Sequence, residues 1–260
     1  MANSPSGDSM TQRIVRVLET FTTERTVQTA SEIGRRADLP SSTAHRLVDD
    51  LVAEGLLERD DEHRVRLGMR LWELGELSPV SLRLRETALP HMLRLYEATG
   101  ENVHLAVLDA PTPETASALY VGRITGSGSI PVLSRMGGRH PLHTTGVGKA
   151  LLATRDDLWL ERFLARPLER ETTRSITTEA ELRADLERTR ARGFATTHEE
   201  MTLGNVSVAA ALGPIEGLPP SAVGVVVHLA RADERRLGPL VVQAARDIRS
   251  ALLDSPRDSP

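Results

Sequence analysis

Cysteine is absent from the 260 residues, which excludes disulfide staples, thiolate metal sites and cysteine nucleophiles and suits a reducing compartment. Aromatic residues make up only 3%, too few for the stacking platforms that hold single-stranded nucleic acid. No stretch approaches the roughly 18 uninterrupted apolar residues of a membrane span. The opening MANSPSGDSM has neither the basic nor the apolar region of a signal peptide. A soluble, cytoplasmic protein without membrane contact is therefore expected. Positive charge is not in excess either. Lys+Arg number 32 against 36 Asp+Glu, a net charge of -4, so no global field draws the chain to nucleic acid, and any DNA contact must be a local patch. Lysine itself is nearly missing, with Lys149 alone among arginines. What remains is ordinary globular usage, 40% hydrophobic and 26% charged, in a length comfortable for two domains.

Residues 11–22 carry Ile14, Val15, Leu18 and Phe21 at helical spacing, and a second helix fits 30–37, capped by Thr29 or Ser31. Asp38-Leu39-Pro40 breaks it, since proline cannot continue a helix and restricts its predecessor. Pro40 then suits the first turn of a third helix, 41–54, with Ala44, Leu47, Val48, Leu51 and Val52 as its apolar stripe and Gly55 at its end. Short strands at 56–59 and 64–67 flank a polar turn. Helix, helix, tight turn, helix and hairpin within about 60 residues is a winged helix-turn-helix order. A short helix at 69–77, broken by Ser78-Pro79, reads as a linker, and a longer helix follows at 82–99. Beyond residue 100 strands are expected at 103–108, 118–122, 130–134, 139–143, 194–198, 206–212 and 222–229. Helices are expected at 146–153, 156–164, 179–192 and 235–253. The apolar run at 222–229 marks a central strand. The expected division is a tail at 1–10, a DNA-binding domain at 11–68, a linker at 69–78, a second α+β domain at 79–254 with a sheet covered by helices, and a tail at 255–260.

The stretch ASEIGRRADLPSSTAHRL (30–47) is close to the helix-turn-helix signature of the IclR (isocitrate-lyase regulator) type of bacterial transcription factors. LVAEGLLER (51–59) and RVRLG (64–68) look like that family's wing. PLHTTGVGKALL (141–152), RGFA (192–195) and Glu199-Glu200 match its second domain. The resemblance spans about residues 11–253, in order and at the right spacing. It implies a winged helix-turn-helix domain joined by a helical linker to a GAF-like α/β effector-binding domain. It also implies a cytoplasmic homodimer or homotetramer, binding to double-stranded operator DNA, and control by a small organic acid.

The candidate site residues follow from chemistry and from this resemblance. Ser41, Ser42, Thr43, His45 and Arg46 supply short donors and an arginine at the start of the third helix, as a major-groove reader needs. Arg35 and Arg36 before it, and Arg64 and Arg66 on the wing, would hold phosphates. Residues 1–70 contain 10 Arg and 12 Asp/Glu, a net of 10 − 12 = −2, which leaves a protein-interaction winged helix as the alternative. In the second domain the resemblance places an acid's carboxylate at Thr144, Thr145 and Gly146. Where keto-acid-binding members carry Asp, Cys and a Ser-x-Ser pair, this chain has Thr197, Ser207, Val226 and His228. The change points to a larger, partly apolar or aromatic acid, with His228 and His198 as polar contacts, or to residues that merely pack the sheet. GVGKA (146–150) is not a phosphate loop, because His143 stands where its first glycine belongs and Ala150 is neither Ser nor Thr. His140, His143 and His198-Glu199-Glu200 lack the spacing of a zinc site. No nucleophile elbow occurs, so no catalytic residues, metal or cofactor are expected, and an enzyme with a winged-helix appendage is the remote alternative.

Overall fold

The computed structural model describes residues 7–110, 112–126 and 135–254. The strand expected at 130–134, residues 1–6 of the first tail and the whole second tail lie outside them. The chain divides after Ser78 into two units.

The first unit begins with α1 (Met10–Glu19), opened by a reciprocal pair in which Ser9 caps the Gln12 amide and Gln12 caps Ser9. Thr29 and Glu32 repeat the arrangement at α2 (Ala30–Arg36). Pro40 stands at the cap of α3 (Ser41–Ala53) and not within its first turn. α2 and α3 approach so closely that a Cβ on Gly34 would lie 2.7 Å from the Ala44 Cβ, so the turn between them depends on that glycine. Gly55, at φ +73°, ends α3 and releases the chain into β1 (Leu57–Arg59), paired antiparallel with β2 (Val65–Leu67). Val17, Ile33, Leu47, Val48, Leu51, Leu57 and Val65 make the core. α4 (Met69–Glu76) buries none of its residues.

In the second unit a π-helical turn (Val80–Arg85) runs into α5 (Glu86–Thr99). The expected regular helix at 82–99 thus starts as a wider turn shortly before Pro90, which lacks the N–H that would bond the Glu86 carbonyl. The strands are β3 (Asn102–Asp109), β4 (Ser117–Ile124), β5 (Arg139–His140), β6 (Ala195–His198), β7 (Asn205–Ala211) and β8 (Ser221–His228). β5 is shorter than the expected 139–143 because Pro141 cannot continue the ladder. The sheet order is β5-β4-β3-β8-β7-β6, antiparallel throughout, and β8 is interior as its apolar run implies.

Alternation gives the sheet two different faces. Val103, Leu105, Val107, Val206, Val208, Val223, Val225 and Val227 face α5 and α9 (Glu234–Asp254), meeting Met92, Val241 and Ile248. Ala106, Ala195, Ala209 and Ala222 face α6 (Gly146–Leu152), α7 (Asp157–Leu164) and α8 (Glu179–Arg192), meeting Val147, Leu151, Leu160, Leu182 and Leu186. The second face is built from small residues, which lets the short, wholly buried α6 lie close to the strands. Among the described residues no helix is long and apolar enough to cross a membrane.

Candidate functional sites

The first site is the outer side of α3. Burying Ala44, Leu47, Val48 and Leu51 turns Ser41, Ser42, His45 and Arg46 outward, with Thr43 half-buried. Arg35 and Arg36, in the last turn of α2, are exposed beside them. Arg36 donates to Gln28 Oε1 at 2.7 Å, and the His45 ring lies 3.3 Å from the Ser31 hydroxyl. Arg35 and Arg46 have no ion-pair or hydrogen-bond partner among the described residues. On the wing, Arg64 is paired with Asp60 at 3.0 Å and Glu62 at 3.2 Å, and Arg66 with Glu58 at 2.9 Å. Arg59 ties down Asp49 of α3 at 2.5 Å. The carboxylates that oppose an anionic partner are thus partly neutralised by the unit's own arginines, and the freely offered cations are on α2 and α3.

The second site is a cavity of about 50 Å³ on the small-residue face of the sheet. At roughly 10–15 Å³ per water it has room for about four waters as it stands. Register explains its floor. Thr197 pairs with Ser207 and Ser207 with Val226, so these three stand in one row across β6, β7 and β8. Thr144, Thr145 and Gly146 form the wall at the start of α6, and Met201, Thr202 and Asn205 the wall at the turn between β6 and β7. Gly146 permits the close approach of helix and floor, since a Cβ there would lie 2.4 Å from the Ser207 Oγ. The Thr145 hydroxyl is already engaged, donating to the Pro141 carbonyl at 2.9 Å and accepting the Gly148 N–H. Thr144 faces the Met201 sulfur at 3.5 Å.

The remaining wall is a column of rings. Tyr120 stands edge-on to His104, centroids 5.2 Å apart, and to His140, 5.1 Å apart. Burial, with Arg123 and His140 nearby, lowers the His104 pKa to about 3, so the ring is neutral at physiological pH. Burial, then Arg135, lowers His140 as well. Burial pushes the Tyr120 phenol well above its ordinary value, opposed in part by its contact with the Thr145 hydroxyl, so it keeps its proton. The pocket wall therefore carries rings, hydroxyls, an amide, a valine and a thioether, and its histidines are uncharged.

Six of the eight expected residues, Thr144, Thr145, Gly146, Thr197, Ser207 and Val226, are brought together here. His198 and His228 are not. Alternation turns His198 to the opposite face from Thr197, where its Nε2 meets Glu234 at 2.6 Å. His228 ends β8, exposed, and its Nδ1 accepts the Ala230 N–H of the following 3₁₀ turn. The residues missed from sequence are His104, Tyr120, His140, Met201, Thr202 and Asn205. Alternation along 102–109 and 117–124 would have put His104 and Tyr120 on the same side as the alanines. His143 lies apart, its Nε2 2.8 Å from the Glu169 carbonyl and its pKa lowered mainly by burial. Among the described residues no cluster of metal-ligating side chains forms.

Lys149, the lone lysine, is completely buried. Its Nζ lies 2.7 Å from Glu200 Oε1 and 2.8 Å from Asp185 Oδ2. Burial raises the Glu200 pKa, and Lys149 opposes that rise.

Known proteins resemble both units. Residues 11–61 match the model of the IclR helix-turn-helix domain, and residues 78–250 that of the bacterial transcriptional regulator IclR C-terminal domain. The HTH-type transcriptional regulator BhcR of Paracoccus denitrificans is 33% identical over 225 residues, covering 85% of this chain and 79% of that protein. The transcriptional repressor IclR of Escherichia coli is 28% identical over 223 residues, covering 84% and 80%. Among solved structures, an IclR homolog from Microbacterium hydrocarbonoxydans complexed with 4-hydroxybenzoate superposes with a TM-score of 0.87 at 39% identity, covering 95% of this chain and all of that one.

Proposed function

The chain belongs to the IclR family of bacterial transcriptional regulators, with a DNA-binding helix-turn-helix and a C-terminal effector domain, and from that premise we propose that a small aromatic acid in the His104–Tyr120–Val226 pocket sets its affinity for operator DNA. The observation that carries the acid's class is the pocket wall. Val226, Met201 and the uncharged column of His104, Tyr120 and His140 suit a ring, while Thr144, Thr197, Ser207 and the main chain at Gly146 offer neutral hydrogen bonds to a carboxylate. The similarity to a protein solved with 4-hydroxybenzoate supports the same class. A keto acid of three carbons would leave most of the ring wall without contact.

On DNA, Ser41, Ser42, Thr43, His45 and Arg46 read base edges in the major groove, and Arg35 and Arg36 hold the flanking phosphates. Arg64 and Arg66 join them only by releasing Asp60, Glu62 and Glu58. One such unit makes few phosphate contacts, so tight binding requires two copies on two half-sites, as a homodimer or a pair of dimers. The exposed Met69, Trp72, Leu74 and Leu77 on and beside α4 offer an apolar surface for that self-association. The acid acts by binding one arrangement of the assembled protein more tightly than another.

The test is fluorescence anisotropy with DNA flanking the protein's own gene against random duplex, with and without benzoate, 4-hydroxybenzoate, pyruvate and glyoxylate. The expected result is a preference for the flanking DNA that an aromatic acid shifts and the keto acids do not. No preference over random duplex overturns the operator reading and favours the protein-interaction alternative that the net charge of −2 suggests.

A further inference from the structure

Two walls of the pocket, the start of α6 and the turn between β6 and β7, are joined by one buried ion pair. Most of that turn braces itself. Glu199, at φ +57°, gives its N–H to the Asn205 carbonyl at 2.7 Å and accepts the Gly204 N–H on Oε1 at 2.7 Å. Glu200 differs. Its side chain, 8% exposed, points inward to Lys149, one helical turn beyond the pocket-lining Gly146. Lys149 is held from its other side by Asp185 of α8, whose second oxygen accepts from Arg188 at 3.0 Å. The Thr172 and Ser175 hydroxyls fix the carbonyls of Glu199 and Glu200 at 2.6 and 2.7 Å. The next residues, Met201 and Thr202, line the pocket.

We propose that the Lys149–Glu200 pair is a strut that sets the gap between these two walls, making both residues positioning residues for the effector although neither lines its pocket. A buried ion pair is a poor device for stability, because its desolvation offsets much of its attraction and an apolar pair of equal volume serves the core as well. What it supplies is a fixed length and direction. The site is also not arranged for stability, since Glu200 Oε2 has no hydrogen-bond partner among the described residues and burial works against the charge. The cation that would relieve that cost is shared with Asp185. The strut is worth its cost where position matters, and the residues it positions are Met201 and Thr202 on one side and Thr144–Gly146 on the other.

The inference rests on reading this pocket as the effector site, so the experiment separates the two. The full-length chain is compared with Glu200→Ala, Glu200→Asp and Glu200→Gln by calorimetry with 4-hydroxybenzoate, by operator anisotropy without ligand, and by amide hydrogen exchange over 199–205 without ligand. Alanine removes the tether, aspartate keeps the charge but retracts it by one methylene, and glutamine keeps an oxygen for Lys149. Alanine and aspartate are expected to weaken the acid about tenfold or more, as supporting residues do at other ligand sites, and to speed exchange in 199–205. Glutamine is expected to restore both, with operator affinity unchanged in all three. Wild-type affinity in the alanine and aspartate variants, or a glutamine variant as weak as alanine, overturns the strut, and so does a parallel loss of operator affinity. Should the alanine variant not fold, aspartate against glutamine decides. If the wild type binds no aromatic acid, the effector reading fails, and the strut then stands or falls on whether alanine speeds exchange and glutamine restores it.

Discussion

Replacing Gly146 by alanine tests the packing on which the pocket depends. The added methyl would sit 2.4 Å from the Ser207 Oγ, a separation real Cβ atoms do not show, and 3.0 Å from its Cβ, tighter than nine in ten such contacts. Rotating the hydroxyl away relieves the first contact and not the second, so α6 or β7 must give by a few tenths of an ångström. Overpacking of this kind costs about 1–3 kcal/mol. For a domain of this size each kcal/mol lowers Tm by roughly 2–4 °C, so Gly146→Ala should lower the melting temperature of the second unit by roughly 2–12 °C in a calorimetric scan. The double variant with Ser207→Gly removes both offending atoms and should recover most of that loss, a coupling that a double-mutant cycle reads directly. Aromatic-acid binding should be lost in the single variant and remain weak in the double, which lacks the Ser207 hydroxyl. An unchanged Tm in Gly146→Ala, or a loss that Ser207→Gly does not relieve, would refute the claim that this glycine exists to let helix and sheet floor meet.

Five further outcomes follow from the same geometry. Arg46→Ala should weaken operator binding by about 1–3 kcal/mol in a gel shift, whereas Arg64→Ala, already satisfied by Asp60 and Glu62, should cost far less; equal losses would show that the wing pairs open on DNA. Lys149→Met strands Glu200 and leaves Asp185 only its partly exposed Arg188, so chemical denaturation should show a loss of about 3–5 kcal/mol. Because Glu200's folded pKa lies above 4.5, its contribution to stability is present in acid and declines as pH rises through the folded value, so Glu200→Gln should match or exceed wild-type Tm at pH 7–8. His104 moves the other way: with a folded pKa of about 3 against 6.5, stability falls as pH drops from about 6.5 toward 3, and His104→Gln should flatten that part of the pH–Tm curve. Finally, Trp72→Glu on the exposed α4 should lower the mass seen by light scattering if that surface mediates self-association, with no change in the melting of either unit.

How much of this was legible in the sequence depended on how local each cause is. The first unit is made of short-range signals. Pro40, Gly55 and the Thr29–Glu32 box lie within a few residues of the elements they bound, so the elements from α2 to β2 came out within one residue or so. The pocket floor was legible through the family resemblance, which picked out positions on three strands that the observed register sets in one row. His198 and His228 show the limit of that argument. One is a single residue past Thr197 and therefore faces away, and the other sits where β8 gives way to a 3₁₀ turn and the alternation stops. His104 and Tyr120 were hidden in runs that read as uninterrupted core, VHLAVL and ALYVG, where a polar ring looks like one more buried side chain. The partners of Lys149 were out of reach for another reason. Glu200 is 51 residues away and Asp185 sits on a different helix, so nothing short of the tertiary fold brings them together.

Both proposed partners, duplex DNA and an organic acid, are anions, yet neither site offers them a strong positive field. In the first unit much of the wing's charge is cancelled internally, through Arg59–Asp49, Arg64–Asp60 and Arg66–Glu58, while Arg35 and Arg46 have no ion-pair partner among the described residues. In the second, the lone lysine is buried between two carboxylates, and the rings on the pocket wall stay neutral. Long-range attraction to the wrong anion is correspondingly weak. Discrimination then falls to short-range fit: hydroxyls and N–H groups at set positions, a ring wall, and the separation of α6 from the 199–205 turn. Two of the positions on which that fit depends are Gly146, where a methyl would meet Ser207, and Gly34, where the turn before α3 closes on Ala44. If the proposed sites are right, a substitution at either glycine is expected to cost discrimination between ligands as well as stability, since so little attraction acts at a distance.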